Sequence, residues 1–296
     1  FQNQFVKTPN IADDPLANTI EHYQSILALL PPSNTTATVH FRLGEIQSRM
    51  MRDMHGAKVS YEAALQSRPN LSLENKISIR IGDLFLTNGQ YSDAITYFKS
   101  DSRPMRDRAK IDEYTIRYLN SLLFNQEINL PLAFLDSVML ALEPNHRYFN
   151  DLMEMHDLLV NYYLDGTHDD RNAFESFLQA EALIHQYKIP EAVDALRLIK
   201  QNHPEALITP LSTLRMALLH LEFDQPETAL SIALSIEDSP IKDQGLALAG
   251  EIEELFLDNP KKALIHYHRI LSECKSSLLV EPVRLHIRRL AQTQES

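Results

Sequence analysis

Apolar residues recur at three- and four-residue spacings along almost the whole chain. Tyr23, Ile26, Leu27 and Leu30 do so in one stretch, and Ile81, Leu84 and Phe85 in another. That spacing lines one stripe of an α-helix, and nowhere does a sustained two-residue alternation mark a half-buried strand. Prolines punctuate the pattern. Pro131, Pro190, Pro226 and Pro260 each open an amphipathic stretch, where a missing N–H costs nothing in the first helical turn. Pro31, Pro69, Pro144, Pro204 and Pro240 each follow one, where proline cannot continue the helix. The pattern predicts fifteen helices, at 14–30, 35–51, 55–67, 73–88, 91–101, 107–125, 131–142, 146–164, 171–187, 190–202, 208–223, 226–236, 241–257, 260–274 and 279–292. The longest loop, 165–171 (DGTHDDR), reads as a soft joint between two halves. The expected organisation is an extended segment 1–13, a first half 14–164, and a second half 165–296 ending in a capping helix 279–292.

One phrase is written four times: NGQYSDAITYF (88–98), YKIPEAVDAL (187–196), FDQPETALSIAL (223–234) and LDNPKKALIHY (257–267). Aligned on the small residue early in each second helix, the copies place Ala57, Ala94, Ala192, Ala229 and Ala263 in register. The steps are 37 between the first two, then 37 and 34 across the last three. The gap of 98 from Ala94 to Ala192 is no clean multiple, so the middle of the chain is expected to be irregular.

A period near 34 in helix–turn–helix units is the tetratricopeptide signature, and the chain resembles that family. Ile81-Gly82 stands at the family's large–small pair, followed by Phe85, by Gly89 and Tyr91 at the turn, and by Ala94 and Phe98 on the second helix. Leu43-Gly44, Ala57, Tyr61, Ala64 and Pro69 match in the preceding unit. Later units match at Ala180, Leu183, Ala192, Leu196 and Pro204, at Ala217, Ala229 and Ala233, and at Ala249-Gly250, Ala263, Tyr267 and Ile270. Five units cover about three-quarters of the chain, whereas 107–170 fits the motif badly.

The resemblance implies an all-α, right-handed α-α superhelix of six to seven helical hairpins. Small residues let the two helices of a hairpin approach, and aromatics fill the groove toward the next hairpin. The first helix, 14–32, reads as a second helix lacking its first. Either further residues precede Phe1 in a parent protein, or this helix caps the array.

Composition narrows the function. Glycine makes up 7 of 296 residues, which suits helices, since each helical glycine costs roughly 1 kcal/mol relative to alanine. The net charge of −12 and the lack of a basic run with interleaved aromatics argue against nucleic acid as a partner. The one basic cluster, RLHIRR (284–289), reads as the solvated face of a last helix. A single cysteine, Cys274, excludes an internal disulfide and a multi-cysteine metal site. No apolar run approaches the roughly 20 residues of a transmembrane segment. SSLLVEPVRLHIRRL (276–290) is similar to the closing segment of many secreted bacterial repeat proteins, which implies a bacterial periplasm or envelope.

Candidate chemistry is sparse. His266 and His268, like Glu154 and His156, are two apart on a helix and point roughly 200° apart, so neither pair can share an ion. The HDDR cluster (168–171), with Glu175 nearby, reads as helix-capping and first-turn acids, Asp169 or Asp170 accepting N–H bonds from the next turn. Cys274 at a helix C-terminus is expected to hold its proton. There is no glycine-rich phosphate loop, nucleophile elbow or zinc-protease helix, and no cofactor is expected.

What remains is surface. The resemblance places Arg42, Glu45 and Arg49, then Lys76, Arg80, Asp83 and Thr87, on first helices lining the concave groove. Self-pairing of Arg42 with Glu45 and of Arg80 with Asp83, three apart on one helix, is the competing reading. The family's lysine–asparagine carboxylate clamp is not reproduced. The expectation is a non-catalytic scaffold or adaptor with a protein or peptide partner in the groove. Two alternatives stay open: a structural member of a multi-protein assembly, and an enzyme or regulatory subunit using the acidic joint 165–171.

Overall fold

A computed structural model describes residues 13–99, 113–140 and 142–294. Among them lie fifteen α-helices and no strand: α1 (Asp13–Leu27), α2 (Asn34–Arg49), α3 (Met54–Gln66), α4 (Leu71–Thr87), α5 (Tyr91–Lys99), α6 (Glu113–Phe124), α7 (Asn129–Met139), α8 (Phe149–Leu159), α9 (His168–His185), α10 (Ile189–Asn202), α11 (Thr209–Glu222), α12 (Pro226–Leu234), α13 (Lys242–Leu255), α14 (Pro260–Glu273) and α15 (Val280–Gln294). A π-turn, Val160–Leu164, continues α8. Every expected helix is present, most with ends shifted by a few residues. The segment expected to be extended, apart from Asp13, and residues 107–112 of the helix expected from 107 lie outside the described residues.

The chain divides into two compact units. Unit 1 comprises residues 1–156 with His185–Tyr187, and unit 2 comprises 157–184 and 188–296. Within unit 1 each helix from α1 to α7 packs on the next in sequence, and in unit 2 the same holds from α10 to α15.

The hairpin turn is where sequence and conformation meet most directly. In the turn two or three residues past each first helix, one residue adopts positive φ: Arg52 (58°), Gly89 (71°), Gln126 (61°), Tyr187 (59°), Asp224 (57°) and Asp258 (50°). Around four of them the next N–H bonds the carbonyl five residues back: Gln90 to Phe85 at 2.8 Å, Glu127 to Leu122 at 2.9 Å, Lys188 to Leu183 at 3.0 Å and Gln225 to His220 at 3.0 Å. This is the Schellman closure, which satisfies carbonyls that a helix end would leave orphaned. Glycine fills that site once. The other five positions accept a left-handed cost of about 1–2 kcal/mol each.

These turns recur in steps of 37, 37, 61, 37 and 34, and five residues after each comes the close-packing position. Ala57, Ala94, Ala192, Ala229 and Ala263 occupy it and are fully buried, as expected. After Gln126 it is Pro131, also buried. The irregular middle expected from the 98-residue gap is present, but it is confined to the 61-residue step from Gln126 to Tyr187. A third hairpin, α6/α7, keeps the 37-residue step, and the irregularity is α8 with its π-turn, inserted before α9. The signal was hidden because proline stands at 131, where the other copies have alanine.

The aromatics also do more than reach the next hairpin. Tyr61 lies over Gly44 and Phe98 over Gly82, while Tyr267 covers Gly250, each ring seated on a glycine of its own first helix. The same rings join the following hairpin, since Tyr61 clusters with Ile77, Ile81 and Leu84 of α4, and Phe98 with Tyr114 of α6. One buried ring thus ties three helices, contributing roughly 1.5–3 kcal/mol by burial alone.

Gln126 supplies a direct test of the turn. Its amide nitrogen and oxygen are both buried without a partner, and its φ is left-handed. Gln126→Gly is expected to stabilise the chain by about 1 kcal/mol, by removing the left-handed strain and the unsatisfied amide. A lower urea midpoint for this variant would overturn that account.

Candidate functional site

The expected groove residues stand on α2 and α4. Ser33 caps α2, accepting from Thr36 N at 3.1 Å, and Asn70 caps α4, accepting from Leu73 N at 2.9 Å. Spacings of three and four put residues 42, 45 and 49 on one face of α2, and residues 76, 80, 83 and 87 on one face of α4.

Four of the seven are joined in one network. Glu45 accepts from Arg80 Nε at 2.9 Å and from Tyr61 OH at 2.7 Å, and it pairs with Arg49 at 3.1 Å. Arg80 Nη1 also reaches Asp83 at 3.1 Å, and Asp83 takes Arg117 Nε of α6 at 2.5 Å. Arg117 lies 3.7 Å from Glu113, which pairs with Arg147 at 3.0 Å. Thr87 donates to the carbonyl of Asp83 in its own helix. Arg42 and Lys76 are exposed and make no ion pair among the described residues. Of the two self-pairs in the competing reading, Arg80–Asp83 forms and Arg42–Glu45 does not, because Glu45 is taken by partners on α3, α4 and its own helix.

The network has a rule. Glu45–Arg80 spans 35 residues and Asp83–Arg117 spans 34. In unit 2, Glu181 of α9 holds Arg215 of α11 in a fork of 2.7 and 3.0 Å, again 34 residues apart. Each arginine lies nine residues before its turn, and each acid six or seven before the previous one. A repeated clasp thus links successive first helices. Sequence reasoning missed Tyr61, Glu113, Arg117, Arg147, Glu181 and Arg215 as its members. An acid followed by arginine one repeat later was the readable signal.

The clasp sets the local electrostatics. Burial works against the charge of Arg80, and Glu45 and Asp83 outweigh it, holding the guanidinium above its ordinary value. Burial, then the charge and hydrogen bond of Glu45, push the Tyr61 hydroxyl far above its usual range. In unit 2, hydrogen bonds from Arg269 and then Lys242 hold Glu273 down to about 2, and Arg269 likewise lowers Glu237.

The acidic joint is shorter than expected, because α9 begins at His168 rather than 171. Thr167 and Asp170 close a reciprocal cap. Asp170 accepts from Thr167 N at 2.8 Å and Thr167 Oγ1 at 2.7 Å, while Asp170 N donates to Thr167 Oγ1 at 3.2 Å. The other oxygen of Asp170 accepts Leu207 N at 2.8 Å, and this bond leads the causes that lower its pKa. Asp169 binds His203 Nδ1 at 2.6 Å. The acids reach backward and across to the next hairpin, rather than forward to the next turn.

The remaining candidates are placed as follows. His156 bonds Asp136 at 3.0 Å, and burial lowers His266. Burial first, then Asp243, raises the Cys274 thiol. Among the described residues no cluster of three or more His, Cys, Asp or Glu could hold a metal ion, and no helix is long and apolar enough to cross a membrane.

Helical hairpins repeated at steps of 34 to 37 residues, each packed on the next within its unit, make this an all-α helical-repeat protein. No family model and no curated protein matches the chain. Among solved structures it is similar to the TPR domain of P58(IPK), at 13% identity over 98% of this chain and 97% of that one, with a TM-score of 0.33. At that score the superposition carries no argument, and the fold rests on the hairpins themselves.

Proposed function

We propose that the protein is a non-catalytic scaffold or adaptor that holds a protein or peptide segment along the first-helix face of α2 and α4. One observation carries the reading: Arg42 and Lys76 stand exposed without ion-pair partners among the described residues, on two helices that the Glu45–Arg80–Asp83–Arg117 clasp fixes relative to each other. Cations already aimed and left over are suited to anchor a partner, because a held framework spends little ordering entropy on binding. The clasp residues support the face and do not themselves recognise anything.

Membership of a larger assembly is a second reading, favoured by Ile26, Leu29 and Leu30, which are exposed at the end of α1 and beyond it. The enzyme reading at the joint is less favoured, because both oxygens of Asp170 are engaged, one by Thr167 and the other by Leu207 N, and Asp169 binds His203. An envelope location rests on the resemblance of 276–290 alone.

The test separates anchors from framework. A partner recovered on the immobilised wild-type chain is titrated against Arg42→Glu/Lys76→Glu and against Arg80→Ala. The double reversal is expected to weaken binding at least about tenfold, equivalent to about 1.4 kcal/mol, with an unchanged thermal midpoint. Arg80→Ala is expected to lower the midpoint. Full affinity in the double reversal would sink the groove reading.

A further inference from the structure

The negative charge of the chain is concentrated in one place. Between Met216 and Pro260 stand ten acids and one lysine, a formal −9 of the −12 carried by the whole protein. This stretch spans the second half of α11, all of α12 and α13, and the turns that end α11 and α13. Four of the acids are occupied internally: Glu237 by Arg269, Asp243 by Ser277, Glu253 by Lys262, and Glu254 by Tyr267 and His286. The other six, Glu222, Asp224, Glu227, Asp238, Glu251 and Asp258, are exposed and make no ion pair among the described residues.

Exposed acids alone would be an ordinary solvated surface. What distinguishes this edge is the apolar side chains set among them. Leu221 and Leu257, the inward residues of the two turns, pack on one buried cluster with Ala217, Ala229 and Ile252, so the turns adjoin. Two residues from each, Phe223 and Leu255 face solvent, 49% and 71% exposed. The phenylalanine capping α11 and the leucine ending α13 both leave apolar surface in water, which burial against a partner would remove.

We propose that this turn edge of α11/α12 and α13/α14 is a docking surface for a basic amphipathic segment of a partner protein. Its apolar side chains would lie on Phe223 and Leu255, and its lysines or arginines against Asp224, Glu227 and Asp258. Charge selects the occupant. A second copy of the chain would bring two strongly negative edges together, and nucleic acid or an anionic membrane is repelled for the same reason. A cationic helix covers the apolar residues and neutralises the acids at once. The surface lies in unit 2 and does not involve the α2–α4 face, so either reading can fail while the other stands.

The test uses the full chain and two synthetic helical peptides of equal length, one pairing a leucine face with lysines and the other with glutamates. Fluorescence anisotropy is expected to show binding of the lysine peptide only, weakening about tenfold or more from about 50 to about 500 mM salt. Phe223→Ser/Leu255→Ser and, separately, Asp224→Asn/Glu227→Gln should each weaken it about tenfold without moving the thermal midpoint. Glu74→Gln/Glu191→Gln, which removes exposed acids elsewhere, should leave it unchanged. Equal binding of both peptides, or binding that survives the edge substitutions, overturns the proposal. So does self-association in sedimentation that Phe223→Ser/Leu255→Ser removes, because the edge would then belong to a second copy.

Discussion

Arg215→Leu is expected to lower the unfolding free energy by about 3–5 kcal/mol. The reason is what it leaves behind. The Glu181 side chain is 4% exposed, and both its oxygens are held by Arg215. Without the guanidinium, the carboxylate must stay charged in a low-dielectric site or take up a proton. Replacing both residues, Glu181→Leu with Arg215→Leu, removes the stranded charge and should recover most of the loss, since an apolar pair of similar volume often matches a buried ion pair. Urea unfolding of the two single variants and the double variant reads this directly. A single-variant cost below about 1 kcal/mol would show that water reaches the pair, as it does at a surface salt bridge. Total stabilities of about 5–15 kcal/mol are usual, so the clasp is a sizeable part of what orders successive first helices.

Gly82→Ala should destabilise the chain by about 1–3 kcal/mol, although alanine is the better helix former by roughly 1 kcal/mol. The added Cβ would lie 2.6 Å from Phe98 Cε1 and 2.9 Å from Tyr97 Cδ1. Phe98 is fully buried, so its ring has nowhere to retreat. Phe98→Leu opens space beneath it, and the two substitutions should therefore couple favourably, by more than about 1 kcal/mol in a double-mutant cycle. Additive losses would mean that the glycine is not there for the ring. The same seat recurs at Gly44 under Tyr61 and at Gly250 under Tyr267, which predicts the same sign at both.

These two variants separate what local sequence conveys from what it cannot. The glycine seats were half legible. Ile81-Gly82 and Leu43-Gly44 stand out as large–small pairs because a small residue within a helical stripe is a local anomaly. That their partner is a ring sixteen or seventeen residues later depends on how the hairpin closes. The clasp was less legible still. Arg80 and Asp83 look like a self-contained pair three residues apart, and they do pair, yet each is also held by a residue on a neighbouring first helix, Glu45 and Arg117 respectively.

The third hairpin was hidden for a related reason. Pro131 holds the position that Ala94 holds in the preceding hairpin, but by a residue type that an alignment on small residues does not anticipate. The joint at 165–171 was misjudged by three residues because its acids cap backward, a choice made by Leu207 on a later segment.

By itself the sequence determined the all-α class, the fifteen helices and the 34–37-residue step. Each of these depends on spacings within a turn or two of helix, where the backbone leaves few choices. Only the tertiary structure decided which charges are paired across a repeat and which are not. An ion pair is defined by which faces come together across a repeat, and a residue's own neighbours in sequence do not say whether Arg80 is claimed or Arg42 is left over.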